Sequence, residues 1–234
     1  MREIKLNGYI DEEIWFGDEF TPGTVHDALY GEKGDLQDDV HIVLNSYGGS
    51  VNAATQIHDE IKGYPGKVSI TVSGTAASAA VGVALAADEL MMTPGSMMMI
   101  HDPVCMAYGN EADMQNTIRL LQAAKASILD IYETRVKSPR DEVAQMMTDE
   151  TWMDSKEALK HGFIDAVAQK TGSAENSTGE RAYNREEAKA KIMAWHNRKA
   201  AAAMPKARDE PENKRSEERV SAREYTLRLA MLAR

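Results

Sequence analysis

The 234-residue chain has a single cysteine, Cys105, which excludes any intrachain disulfide framework and fits a reducing compartment. It has no run of about 18 apolar residues, so no membrane span is expected. The first eight residues, Met1 to Gly8, lack the apolar stretch of a secretion signal. Basic residues are scarce: 27 Lys and Arg stand against 37 Asp and Glu, a net charge of −10. Nucleic acid is thereby a poor candidate for a main partner, because phosphate binding is driven by Lys and Arg. The six histidines form no H-E-x-x-H pair and Cys105 has no cysteine partner, so neither a metal nor a cofactor is expected. No G-x-G-x-x-G or P-loop motif is present.

What the chain does have is unevenly distributed. Residues 1–170 carry 13 basic and 27 acidic side chains, a balance of −14, whereas 171–234 carry 14 and 10, a balance of +4. Residues 171–183 read as a polar linker, opening on Thr171-Gly172-Ser173-Ala174-Glu175-Asn176. Residues 184–234 are rich in Ala, Lys, Arg and Glu, broken by Pro205 and Pro211, and read as a charged helical or partly disordered tail. The first 170 residues read as the folded domain, a length that buries roughly 70% of its extended surface.

Within that domain, short β-branched or apolar runs alternate with helical stretches. Strands are expected over 40–44, 68–72, 97–100 and 163–167. Helices are expected over 51–62, 76–87, 111–137 and 155–161, with one more starting at Pro139 after Ser138 as cap. Asn45-Ser46-Tyr47-Gly48-Gly49 and Ser73-Gly74-Thr75 read as the turns after the first two strands. Alternation of this kind implies βαβ units, and the fold class is α/β.

Several residues could carry chemistry. Ser78 follows a strand at a helix start, where backbone N–H groups can stabilise an oxyanion; its bland alternative is a small cap in an alanine helix. Ala76 and Ala80 stand where a G-x-S-x-G elbow would have glycines. His101, at the end of the 97–100 run, suits a general base or a structural hydrogen bond. Asp102 is a poor partner for it, since adjacent side chains of a strand face opposite ways. Gly48 and Gly49 can expose backbone N–H groups toward a substrate. Asp149 and Glu150 form an acidic pair before Thr151-Trp152. Cys105, without a sign of a lowered pKa, reads as a packed small apolar residue.

In order and spacing, these segments resemble the ClpP-type serine peptidases, and more closely the ClpP-related head-maturation proteases of tailed-phage capsid operons, over residues 7–168. Asn45-Ser46-Tyr47-Gly48-Gly49-Ser50-Val51 is similar to the family's N-S-P-G-G-x-V loop, with Tyr47 in place of proline. Gly74-Thr75-Ala76-Ala77-Ser78-Ala79 resembles its G-x-A-A-S segment, and Met99-Ile100-His101-Asp102-Pro103 its M-I-H-x-P segment. Glu150 to Ala158 resembles the region that supplies the triad acid, with Glu150 where aspartate is usual. Gly8 to Trp15, the Glu150-Thr151-Trp152 triplet and the tail look more like the phage branch than the housekeeping peptidase.

The resemblance implies a ClpP/crotonase-like spiral of βαβ units with a long handle helix. It implies Ser78 as nucleophile, His101 as base and Glu150 as acid, with Asp149 the alternative. Gly49 and Ala79 would supply the oxyanion hole, and Gly48, Gly49 and Ser50 would hold substrate backbone. The implied activity is ATP-independent serine endopeptidase cleavage of scaffold and capsid proteins, by a homo-oligomeric ring of seven subunits or stacked sevens. The setting would be the host cytoplasm and the procapsid interior. Competing expectations are a housekeeping homologue working with an AAA+ unfoldase, a crotonase-like hydratase needing paired carboxylates, and a non-catalytic capsid assembly protein.

Overall fold

A computed structural model of the chain describes residues 1–31 and 38–168, with residues 190, 193–195 and 197–198 beyond them in helical conformation. The chain divides into two compact units, Met1–Ile192 and Met193–Arg234. The linker expected at 171–183 and nearly all of the tail expected at 184–234 lie outside the described residues.

The elements of the first unit are β1 (Arg2–Ile10), β2 (Glu19–Phe20), α1 (Pro22–Tyr30), β3 (Val40–Gly49), α2 (Val51–Lys62), β4 (Val68–Ala77), α3 (Ala79–Ala84), β5 (Glu89–Met92), β6 (Met97–Ile100), α4 (Glu111–Glu133), α5 (Arg140–Thr148), β7 (Thr151–Asp154), α6 (Ser155–His161) and β8 (Ala166–Val167). Among the described residues no helix is long and apolar enough to cross a membrane.

The strands form one eight-stranded sheet in the order β2-β1-β3-β4-β5-β8, all parallel. β4 forks it. Ser69–Val72 pair with β5, whereas Thr75–Ala77 pair with β6, and β6 carries β7 antiparallel on its far side. The fold is thus the mixed α/β arrangement expected. Strand β3 shows why: Val40, Ile42, Leu44 and Ser46 are buried in strict alternation, the period-two pattern of a strand. Helix α2 buries Ala53, Ala54, Ile57 and Ile61 against the same core. Each large side chain so buried contributes roughly 1.5–3 kcal/mol.

Two expected turns are instead strand. β3 continues to Gly49 and β4 to Ala77, and the register between them shifts between Leu44 and Ser46. At that irregularity Asn45 Oδ1 accepts from Thr75 N (3.0 Å), a side chain standing in for a ladder bond. Gly74, at φ +113, fits because a Cβ there would lie 2.5 Å from Asn45 Oδ1. The turn-like residues mark bulges, so helix α3 starts at Ala79 rather than at residue 76. The long helix ends at Glu133 rather than 137, the Pro139 helix begins at Arg140 with Pro139 as its cap, and the last strand shrinks to Ala166–Val167. α6 ends as expected at Gly162, in the left-handed conformation at φ +81. Strands β1, β2, β5 and β7 were not read from the pattern.

Candidate active site

The carboxyl ends of β3, β4 and β6 lie side by side, the usual place for a site in a parallel sheet. Ser78 is the single residue between β4 and α3. Its backbone has φ 57 and ψ −128, a conformation that costs a non-glycine residue of order 1–3 kcal/mol. The surroundings impose it. Ser78 N donates to Met99 O (2.8 Å), Ala77 pairs with Met99, and Ala76, Ala77 and Ala80 are fully buried. This is a strained strand-to-helix turn of the nucleophile-elbow kind, built with alanines where that motif has glycines. The Ser78 side chain makes no cap bond to its helix. Its Oγ lies 2.8 Å from His101 Nε2 instead, so the two residues singled out separately in the sequence meet.

The glycine loop closes over the elbow. A Cβ at Gly48 would sit 2.6 Å from Ala77 O, 2.9 Å from Ser78 Cβ and 3.0 Å from Ala79 N. Only glycine permits so close an approach. Gly49, at φ +150, is pressed against β1, where a Cβ would meet Ile10 O at 2.0 Å. The Gly48 amide donates to Ser46 Oγ (3.0 Å). Ser50 caps α2, accepting from Ala53 N (3.2 Å), and donates to Glu12 Oε1 (2.6 Å). Tyr47, in the proline position, lies against the Tyr9 ring at 6.2 Å.

The two carboxylates of the acidic pair part company. Asp149 caps the end of α5 and accepts from Gln145 Nε2 (2.9 Å). Glu150 has φ 50 and opens β7, and its Oε1 accepts from Trp152 Nε1 (3.4 Å). Strand β7 pairs with β6 with Met99 opposite Trp152 and Ile100 opposite Thr151. That pairing ends at Ile100 and Thr151, so His101 and Glu150 are the residues that next follow and precede the paired segments.

Asp102 belongs to a different cluster. Lys125 Nζ reaches Asp102 Oδ1 (2.6 Å), Thr148 Oγ1 (2.9 Å) and Ala144 O (3.2 Å), while Asp102 N donates to Met147 O (3.1 Å). Lys125 thereby ties α4 to the segment after His101 and to the end of α5. No motif signalled that lysine.

A cleft opens beside Ser78 and His101, lined by Val51, Ala54, Thr55, Ala79, Gly82, Pro103, Ile128, Ile131 and Tyr132. The inner half of α4 forms one wall. Burial pushes the Tyr132 phenol up from its ordinary value. Cys105 is exposed, which corrects its reading as a packed residue: the segment after β6 leaves the core. Among the described residues no group of three or more His, Cys, Asp or Glu could hold a metal ion.

A serine hydroxyl on a strained elbow, within hydrogen-bond reach of a histidine, defines a site of the serine-hydrolase type. The chain belongs to the Clp protease family, whose profile matches residues 9–171. The ATP-dependent Clp protease proteolytic subunit 1 of Chlamydia pneumoniae is 30% identical over 177 residues, covering 70% of this chain and 93% of that protein. The proteolytic subunit of Bacteroides thetaiotaomicron is 32% identical over 164 residues, covering 68% and 74%. That of Porphyromonas gingivalis is 29% identical over 167 residues, covering 69% and 75%. The family resemblance of the sequence is therefore upheld, and the chain is a ClpP-type peptidase by family. None of these three names carries a capsid role.

Proposed function

We propose that this chain is a Clp-type serine endopeptidase subunit in which Ser78 attacks the scissile carbonyl. His101 takes the hydroxyl proton through Nε2 and returns it to the leaving amine. The 2.8 Å approach of Ser78 Oγ to His101 Nε2 carries the reading. Glu150 orients the imidazole and stabilises its cation; its place next to the Ile100–Thr151 pair supports it over Asp149, which caps α5 and accepts from Gln145. The amides of Gly49 and Ala79 receive the oxyanion. The Gly48 amide, committed to Ser46, does not. Gly48 and Gly49 lie alongside the substrate backbone, with Ser50 fixing their turn into α2. Donors of this kind contribute about 2.7–4 kcal/mol each to a transition state. Nothing in these steps requires a metal or nucleotide.

The relatives carry "ATP-dependent" and "proteolytic subunit" in their names, which supports a division of labour: this chain hydrolyses, and a separate ATP-driven unfoldase delivers substrate. The first half of α4 has no buried residue and exposes Ile118 and Leu120. That supports its use as the handle between copies in a homo-oligomeric ring, seven-membered or in stacked sevens. The second reading, maturation cleavage of scaffold and capsid proteins inside a procapsid, rests on Gly8 to Trp15 and on Glu150-Thr151-Trp152. The Trp152 to Glu150 bond gives that triplet a physical role.

Degradation of a folded, tagged protein by the assembled chain separates the two. Acceleration by an AAA+ unfoldase with ATP, absent in Ser78→Ala, is the expected result. Cleavage of capsid or scaffold protein with no such acceleration would transfer the role to the second reading.

A further inference from the structure

The cleft beside Ser78 is apolar on most sides, through Val51, Ala54, Ile128 and Ile131. Gly82 leaves room, since a Cβ there would meet nothing within 4 Å. Tyr132 is out of keeping. It is only 3% exposed, and its ring packs edge-on against Phe163 at 5.8 Å. A buried tyrosine hydroxyl usually finds a partner, and leaving one unpaired is costly. Burial raises its pKa above the ordinary value. Tyr132 nevertheless lines the cleft together with Ser78 and His101. Thr55, the other neutral hydroxyl near the walls, already donates to Val51 O (3.0 Å).

Resting on the peptidase reading, we infer that this cleft receives the side chain preceding the scissile bond. The Tyr132 hydroxyl selects there a long apolar stem ending in a neutral hydrogen-bond acceptor, glutamine above all and methionine second. The carbonyl attacked at Ser78 places its own side chain into the adjoining cleft. The stem packs on Ile128 and Ile131, and the terminal amide oxygen accepts from Tyr132. Leucine fits the walls but leaves the phenol unpaired. Glutamate would bring a charge into a cleft where no Lys or Arg lines the wall, and desolvation opposes it.

The test is kcat/KM for peptides identical except at that residue, Gln, Leu or Glu, in the unmodified protein and in Tyr132→Phe. Active sites are titrated with a fluorophosphonate. The phenylalanine keeps the ring and its packing on Phe163, and thermal unfolding checks that it does. In the unmodified protein Gln should exceed Leu and far exceed Glu. Tyr132→Phe should lower the Gln:Leu ratio about tenfold, the effect of one hydrogen bond and an unpaired group, with Leu unchanged or improved. An unaltered Gln:Leu ratio overturns the inference and leaves the peptidase reading standing. No Ser78-dependent cleavage of any peptide overturns the peptidase reading and the inference with it.

Discussion

Ser78 and Glu150 share an unusual backbone: among the described residues they are the non-glycine residues with positive φ, at 57 and 50. What enforces each differs. At Ser78 the strain is imposed by the interior. Strands lie on both sides of its approach, and its alanine neighbours are sealed in the core. At Glu150 a turn at the sheet's far edge imposes it. The Glu150 N–H bonds to Met147 O (3.1 Å), and among the described residues β7 pairs only with β6. Strain of this kind persists only where the surroundings over-determine it, and it gathers at functional sites. The proposed nucleophile is therefore held by the fold as a whole, and the proposed acid by a short segment that can vary more freely.

That contrast can be broken in descending order of effect. Glu150→Gln removes the charge proposed to stabilise the imidazolium and should lower kcat about 10³- to 10⁴-fold, as for loss of a triad acid elsewhere. Steady-state peptide hydrolysis measures it, and full activity would show that another group orients His101. Gly48→Ala attacks the better-enforced half. Its Cβ would collide with Ala77 O and Ser78 Cβ, and a misplacement of about 1 Å costs on the order of 100-fold in rate. A normal rate with an intact fold would mean the loop does not bear on the elbow. Trp152→Phe removes the 3.4 Å donor to Glu150 and should lower kcat a few-fold, with KM little changed, about the worth of one hydrogen bond. Asp149→Asn should change kcat less than about twofold, since Gln145 can still bond an amide oxygen there. A loss as large as that of Glu150→Gln would exchange the two roles.

The same contrast explains what the sequence made legible. Ser78, His101 and the Gly48–Gly49 pair stood out because each needs a particular residue type at a strand end, and the α/β class followed from alternating runs. The acid stayed ambiguous because two carboxylates adjoin, and linear spacing does not show that Asp149 ends α5 while Glu150 directly precedes β7. Asn45 to Gly49 and Ser73 to Thr75 read as turns because glycine and asparagine punctuate bulges as readily as loops. Strand β1 escaped notice although Ile4, Leu6 and Ile10 are buried in it, since charged residues fill the alternate positions. Tyr132 lay hidden in the apolar stripe of a long helix, where cleft wall and core have the same spacing. Lys125 looked like any solvated lysine until three segments met at its ammonium group.

The central claim is that Ser78, activated by His101, is a nucleophile. Labelling of the assembled protein with a fluorophosphonate, located by peptide mass spectrometry, tests it most directly. The account predicts one adduct, on Ser78, absent in Ser78→Ala and slowed by several orders of magnitude in His101→Ala. A folded, assembled protein that takes no label, or takes it at another residue, would contradict it.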